Sequence, residues 1–181
     1  MNCLSPLKVL RCPVAVLISI TAISIFALLA AFGSEAFLGL EPCILCIYQR
    51  IPYAIVIALG GIGLALRKKL LALQVSIGLS GIAFLANSAI ATYHTGVEQK
   101  WWASAVEGCS VPNFGAEPQS ILENIMSAPT ANCAEIPWQD PLLGLSMANY
   151  NVLLCFGLFT LCTVSVSLLR HTHGGQASHN A

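Results

Sequence analysis

The chain has 181 residues, of which 56% are hydrophobic and 9% charged, whereas a soluble domain carries about 25% charged residues. Too few polar groups are present to cover a globular surface, so the composition excludes a soluble domain and points to a membrane protein. Eight basic residues balance eight acidic ones, leaving no basic excess for a phosphate backbone; nucleic acid is not expected as a partner.

A bilayer core of about 30 Å needs about 20 apolar residues in a helix. Residues 13–32 form the first such stretch. It exceeds the ~7–15 residues of a signal-peptide core and is expected to be retained as a span. A short outer loop at about 33–45 follows. The second stretch is clean only over 51–66 and must extend back through Arg50 and Gln49 to Cys46, giving a span at about 46–66. Arg67, Lys68 and Lys69 then make a tight hairpin into a third span at 70–93. The second outer loop, 94–141, is large. Within it, Pro118 opens a segment that places Ile121, Leu122, Ile125 and Met126 on one helical face, either lying on the membrane surface or packed against the loop itself. Trp101, Trp102 and Trp138 stand where this loop meets the bilayer, as aromatic-belt residues do. The last span is expected at 146–169, and the tail from His171 reads as disordered.

Short loops rich in Lys and Arg stay cytoplasmic. Lys8 and Arg11 precede the first span, Arg67 to Lys69 fill the hairpin, and Arg170 follows the fourth. The acidic residues, Glu35, Glu41, Glu98, Glu107, Glu117, Glu123, Glu135 and Asp140, all fall on the opposite side. The expectation is a single all-α domain over 1–181, a four-transmembrane-helix bundle with both termini cytoplasmic.

The eight cysteines sort by compartment. Cys3 and Cys12 face the reducing cytoplasm, and Cys155 and Cys162 read as small buried hydrophobes within the last span. The other four face outward. Cys109 and Cys133 flank the candidate surface helix and suit either a stabilising disulfide or an exchange pair. Cys43 and Cys46 form a CxxC, which closes too small a loop to stabilise much but lowers a thiol pKa and permits rapid exchange. If the helix starts near Pro42, its dipole favours a thiolate there. Arg50, four residues beyond Cys46, lies one turn deeper on the same face, and a guanidinium at that depth is costly and usually functional. A zinc site lacks two further ligands at matching spacing unless the loop pair supplies them, so no metal is expected. Thiol exchange only moves a disulfide; net oxidation needs an external acceptor for two electrons. A thiol pair at the membrane boundary suits a lipid-soluble quinone.

The segment from Glu41 through Pro42, Cys43, Cys46 and Gln49 to Arg50, the second-loop cysteine pair, and Asn132-Cys133-Ala134-Glu135 with Trp138 together resemble the DsbB family of bacterial disulfide bond formation proteins. The resemblance implies an inner-membrane enzyme with its active cysteines facing the periplasm. In the implied relay, a DsbA-like periplasmic thiol-disulfide oxidoreductase attacks the Cys109–Cys133 disulfide at Cys109. Cys43 and Cys46 reoxidise that pair and pass its electrons to ubiquinone or menaquinone. The resemblance also places Cys46 beside the quinone ring, Arg50 polarising it and His94 nearby, although the residues alone make His94 an interfacial histidine. Gln49 departs from the acidic residue that many relatives carry. Two rivals fit less well. In vitamin K epoxide reductase-like proteins the loop cysteines precede CxxC, the reverse of the order here. A non-enzymatic four-helix membrane scaffold with a disulfide-stapled outer loop explains the topology but not Cys43, Cys46 and Arg50 together.

Overall fold

A computed structural model of the chain describes residues 12–106, 109 and 131–177. The expected surface helix at 117–126, together with Cys3, Lys8 and Arg11, lies outside the described residues. Four helices, each long and apolar enough to cross a membrane, make up the bundle: α1 (Pro13–Leu38), α2 (Ile44–Ala65), α3 (Leu70–Glu98) and α4 (Met147–Ala177). Among the described residues the only β pairing is an isolated bridge between Gln139 and Ser146.

Helix α1 begins with Pro13 in its first turn, where a missing N–H costs nothing and the fixed φ suits a helix. It runs beyond the expected end at Phe32 to Leu38 and closes on Gly39, whose φ of 63° is the left-handed conformation that ends many helices. The first outer loop is correspondingly shorter than expected, and Glu35 becomes a helical residue. Helix α3 likewise passes its expected end at Tyr93 to Glu98, because the added turn buries Val97 to 2% exposure. Helix α4 starts at Met147, just after Ser146, whose Oγ accepts from the Asn149 N–H at 3.3 Å. It continues to Ala177; residues 171–177 of the tail expected to be disordered extend the helix, since each added residue gains a backbone hydrogen bond once the helix is nucleated.

Lipid tails are as apolar as leucine, so close packing rather than water exclusion holds such helices together. Val16, Leu17 and Ile20 of α1, Tyr53 and Val56 of α2, Leu73, Ile77 and Phe84 of α3, and Cys155, Leu158 and Cys162 of α4 form one buried cluster. Small residues let the backbones approach: a Cβ added at Gly63 would lie 2.6 Å from Leu17 Cδ2 and 2.8 Å from Ser76 Oγ. Gly63→Ala should therefore cost about 1–3 kcal/mol of stability. Gly61→Ala, with nothing within 4 Å of the new carbon, should be near neutral. Thermal unfolding of the two variants in detergent checks the contrast.

Candidate active site

Pro42 leads into Cys43, which is extended and N-caps α2, its Sγ accepting from the Cys46 backbone N–H at 3.3 Å. The two sulfurs lie 3.0 Å apart as thiols. Cys43 is thus held at a helix N-terminus, where negative charge is favoured. Its thiol is pulled down to about 4, chiefly by the hydrogen bond from Cys46; burial opposes this, and His94 adds a hydrogen bond and, in its protonated form, its charge. The paired cysteines share this single thiolate. Iodoacetamide should consequently alkylate Cys43 at a nearly constant rate between roughly pH 6 and pH 8, since thiolate is lost only as pH falls through the lowered value. An ordinary thiol accelerates roughly eighty-fold across the same interval. Peptide mass spectrometry separates these outcomes, and His94→Ala should move Cys43 toward ordinary behaviour.

His94 is 3% exposed and sits on α3 with its Nε2 3.4 Å from Cys43 Sγ. Its orientation comes from a chain of side-chain amides. The Tyr53 hydroxyl donates to Asn151 Oδ1 at 2.5 Å, Asn151 Nδ2 donates to Gln49 Oε1 at 2.6 Å, and Gln49 Nε2 meets His94 Nδ1 at 2.9 Å. With Gln49 donating, Nδ1 is the acceptor and Nε2–H points at the Cys43 sulfur. On the other side of the ring, Glu98 Oε1 lies 3.7 Å from Nε2, and Glu98 Oε2 accepts from the Ser146 hydroxyl at 2.5 Å. That last bond ties the end of α3 to the start of α4.

Cys109 and Cys133 form a disulfide across 24 residues, a loop whose closure stabilises by roughly 3 kcal/mol. The bridge is not remote from CxxC. Cys109, Cys133, Cys43, Leu45 and Val97 make up one buried cluster, with Cys46 and Tyr93 packed against it. Cys109 also lines a cavity of about 550 Å³ with Trp101, Trp102 and Asn132.

Arg50 occupies a different environment from the one its spacing suggests. Its guanidinium donates two hydrogen bonds to Glu35, at 2.9 and 3.2 Å, and lies 4.8 Å from the centre of the Phe32 ring. The fork geometry makes this a strong pair, and it clamps α1 to α2 beside the CxxC turn.

Two thiols, a buried imidazole and a neighbouring disulfide in one cluster constitute a dithiol exchange centre. A family model for disulfide bond formation protein DsbB matches residues 13–165. The chain belongs to the DsbB family. It is 33% identical over 137 residues to an uncharacterised protein of Rickettsia prowazekii, spanning 73% of this chain and 75% of that protein. It is 30% identical over 135 residues to disulfide bond formation protein B of Dechloromonas aromatica, spanning 68% and 74%. A protein of the same name from a Shewanella species is 30% identical over 125 residues, spanning 68% and 69%. Membership makes this DsbB-family chain a four-helix membrane protein of disulfide bond formation with a cysteine redox centre.

The structure brings Cys43, Cys46, His94, Cys109 and Cys133 together and sets Arg50 on Glu35. Sequence reasoning missed Glu98, Glu35, Asn151 and the part played by Gln49. Glu98 stands four residues after His94, a same-face spacing on a helix, but an α3 that ends at Tyr93 leaves both residues in a loop and hides that signal. Cys155 is also more than a small hydrophobe: Asn87 Nδ2 donates to its sulfur at 3.3 Å, and the Tyr53 hydroxyl lies 3.2 Å away.

Proposed function

We propose that the chain is a membrane thiol:quinone oxidoreductase of the bacterial inner membrane, with both termini cytoplasmic and the cysteine cluster at the periplasmic end. It reoxidises a DsbA-like thioredoxin-fold partner. The observation that carries this reading is the packing of both cysteine pairs together, Cys43, Cys109 and Cys133 buried in one cluster and Cys46 against it, which allows a disulfide to pass between them without long-range motion.

The partner's thiolate attacks Cys109, the member of the bridge that lines the cavity, and Cys133 leaves as a thiolate. The partner's second thiol then displaces Cys109, so the partner departs as a disulfide and the loop pair holds two electrons. A loop thiolate next attacks the Cys43–Cys46 disulfide. A lowered thiol pKa makes a better leaving group and stabilises the reduced form, so the low value at Cys43 draws electrons from the loop pair toward CxxC. The His94 Nε2–H supports the Cys43 thiolate as it forms. A quinone, ubiquinone or menaquinone, accepts the two electrons and two protons that restore the Cys43–Cys46 disulfide. The surroundings suit a lipid-soluble acceptor with polar carbonyls: Phe32, whose ring lies 4.8 Å from the Arg50 guanidinium, and Ile47, Tyr48 and Ile51 on the same helix as Arg50 expose apolar surface, and Cys46 is only half-buried.

The scaffold reading accounts for the stapled loop but gives no reason for His94 and its amide chain to converge on Cys43. Purified protein supplied with a reduced partner and quinone should oxidise many partner equivalents, and without quinone only a stoichiometric amount. Absence of partner oxidation with quinone present would return the chain to the scaffold class.

A further inference from the structure

The same cluster has the chemistry of a metal site once its thiols are reduced. Cys43 Sγ, Cys46 Sγ and one ring nitrogen of His94 all lie within 4.8 Å of one another. A tetrahedral zinc with bonds of about 2.3 Å to sulfur and 2.0 Å to nitrogen sets its sulfurs about 3.8 Å apart and sulfur from nitrogen about 3.5 Å apart. The corresponding distances here are 3.0 Å between sulfurs and 3.4 Å from Cys43 Sγ to His94 Nε2, so the sulfurs need to separate by less than an ångström.

We infer that the reduced Cys43, Cys46 and His94 bind a thiophilic divalent cation, zinc or cadmium, as a two-sulfur, one-nitrogen site with a water in the fourth position. Charge supports the assignment. Two thiolates and a divalent cation sum to zero, which suits a buried site at a membrane boundary better than any uncompensated charge. The donors are also held in advance. Cys43 is fixed as a helix cap, and Gln49 contacts His94 Nδ1 at 2.9 Å, the outer contact that orients a ligating imidazole. Ligation through Nε2 moves the ring proton to Nδ1; the Gln49 amide turns so that its oxygen accepts it, and the Asn151 amide turns in step so that its oxygen accepts from Gln49 Nε2. Glu98, beside Nε2, is placed to accept a hydrogen bond from the bound water. Binding displaces the one thiol proton that the reduced pair still shares and involves no electron transfer.

The disulfide form carries no thiolate and cannot bind. Metal and electron acceptor therefore compete for the same two sulfurs, and the cation holds the enzyme reduced and inactive. That regulatory consequence rests on the redox function proposed above, whereas binding itself does not.

The test uses reduced, full-length protein in detergent carrying Cys109→Ser and Cys133→Ser, so that loop sulfurs contribute nothing. Cadmium titration should give one ion per chain with an ultraviolet thiolate-to-cadmium band. The band should vanish on oxidation or in Cys46→Ser, and affinity should fall at least tenfold in His94→Ala. Equal affinity in His94→Ala would overturn the inference by showing an ordinary dithiol. If His94→Ala fails to fold, X-ray absorption of the zinc form decides: two sulfurs with an imidazole support the site, and a shell without imidazole refutes it. In protein with its loop cysteines intact, zinc should also stop quinone-dependent turnover reversibly. Turnover with no metal binding removes the metal site alone; metal binding without any quinone-dependent turnover removes the proposed function and leaves the site standing.

Discussion

Cys133→Ser is expected to accumulate a mixed disulfide between Cys109 and the DsbA-like partner, visible on non-reducing gels and absent from Cys109→Ser. Exchange through a loop disulfide has two stages, and removing the resolving thiol stops it after the first. Cys109 is the proposed attacked sulfur, and its place at the edge of the cavity framed by Trp101 and Trp102 supports that choice. Cys43→Ser should behave differently. Its loop disulfide remains reducible once, but no partner cysteine is left to form a disulfide with Cys46, so steady-state turnover should fall by at least roughly a thousandfold, as expected for loss of a covalent nucleophile. Sustained turnover by Cys43→Ser, or a partner adduct that survives in Cys109→Ser, would be incompatible with the relay.

The second large effect is expected at Arg50. Its side chain is mostly shielded and doubly bonded to Glu35, with side-chain exposures of 18% and 27%. Removing the cation leaves the Glu35 carboxylate unpaired near the membrane boundary and deletes the positive charge closest in sequence to Cys46 on its own helix. Arg50→Met should therefore lower quinone-dependent turnover by roughly ten- to a hundredfold, the scale for loss of one preorganised charge stabiliser. Single-turnover attack by the partner on the loop disulfide should stay within about twofold of wild type. Lysine should rescue in part, since it restores charge without the two-pronged contact. Glu35→Gln separates the roles: if Arg50 serves only as a helix clamp, Glu35→Gln and Arg50→Met lose stability and turnover together. If its charge serves the electron acceptor, Glu35→Gln keeps most of the turnover that Arg50→Met loses. Equal folded protein, judged by circular dichroism, makes the comparison fair.

The four spans were legible because charge is nearly absent from them, and the family because the string from Pro42 to Arg50 is dense in chemistry. The helix ends were not legible. Apolar periodicity cannot say how far a helix protrudes from a bilayer, so in sequence Glu35 reads as a loop residue although it faces Arg50. His94 likewise reads as the start of a loop although it lies on the last turns of α3. That error of a single turn hid the relation between His94 and Glu98. The amides of Gln49 and Asn151 were illegible for another reason. They are far apart in sequence and meet only when α2 packs near α4, and an isolated Asn or Gln in an apolar stretch carries no mark of its partner. The burial of the loop disulfide against CxxC is likewise a tertiary fact that spacing alone does not encode.

The direction of electron flow within the chain is the central claim, and the position of two electrons at rest tests it most directly. Quinone-free protein, fully oxidised, is given one equivalent of reduced partner, allowed to equilibrate, acid-quenched and alkylated, and its disulfides are mapped by peptide mass spectrometry. The low Cys43 thiol pKa and the His94 contact predict that Cys43 and Cys46 carry the alkyl groups while the Cys109–Cys133 bridge is intact. Alkylated Cys109 and Cys133 with an intact Cys43–Cys46 disulfide would contradict the account, because the loop pair would then be the stronger electron sink.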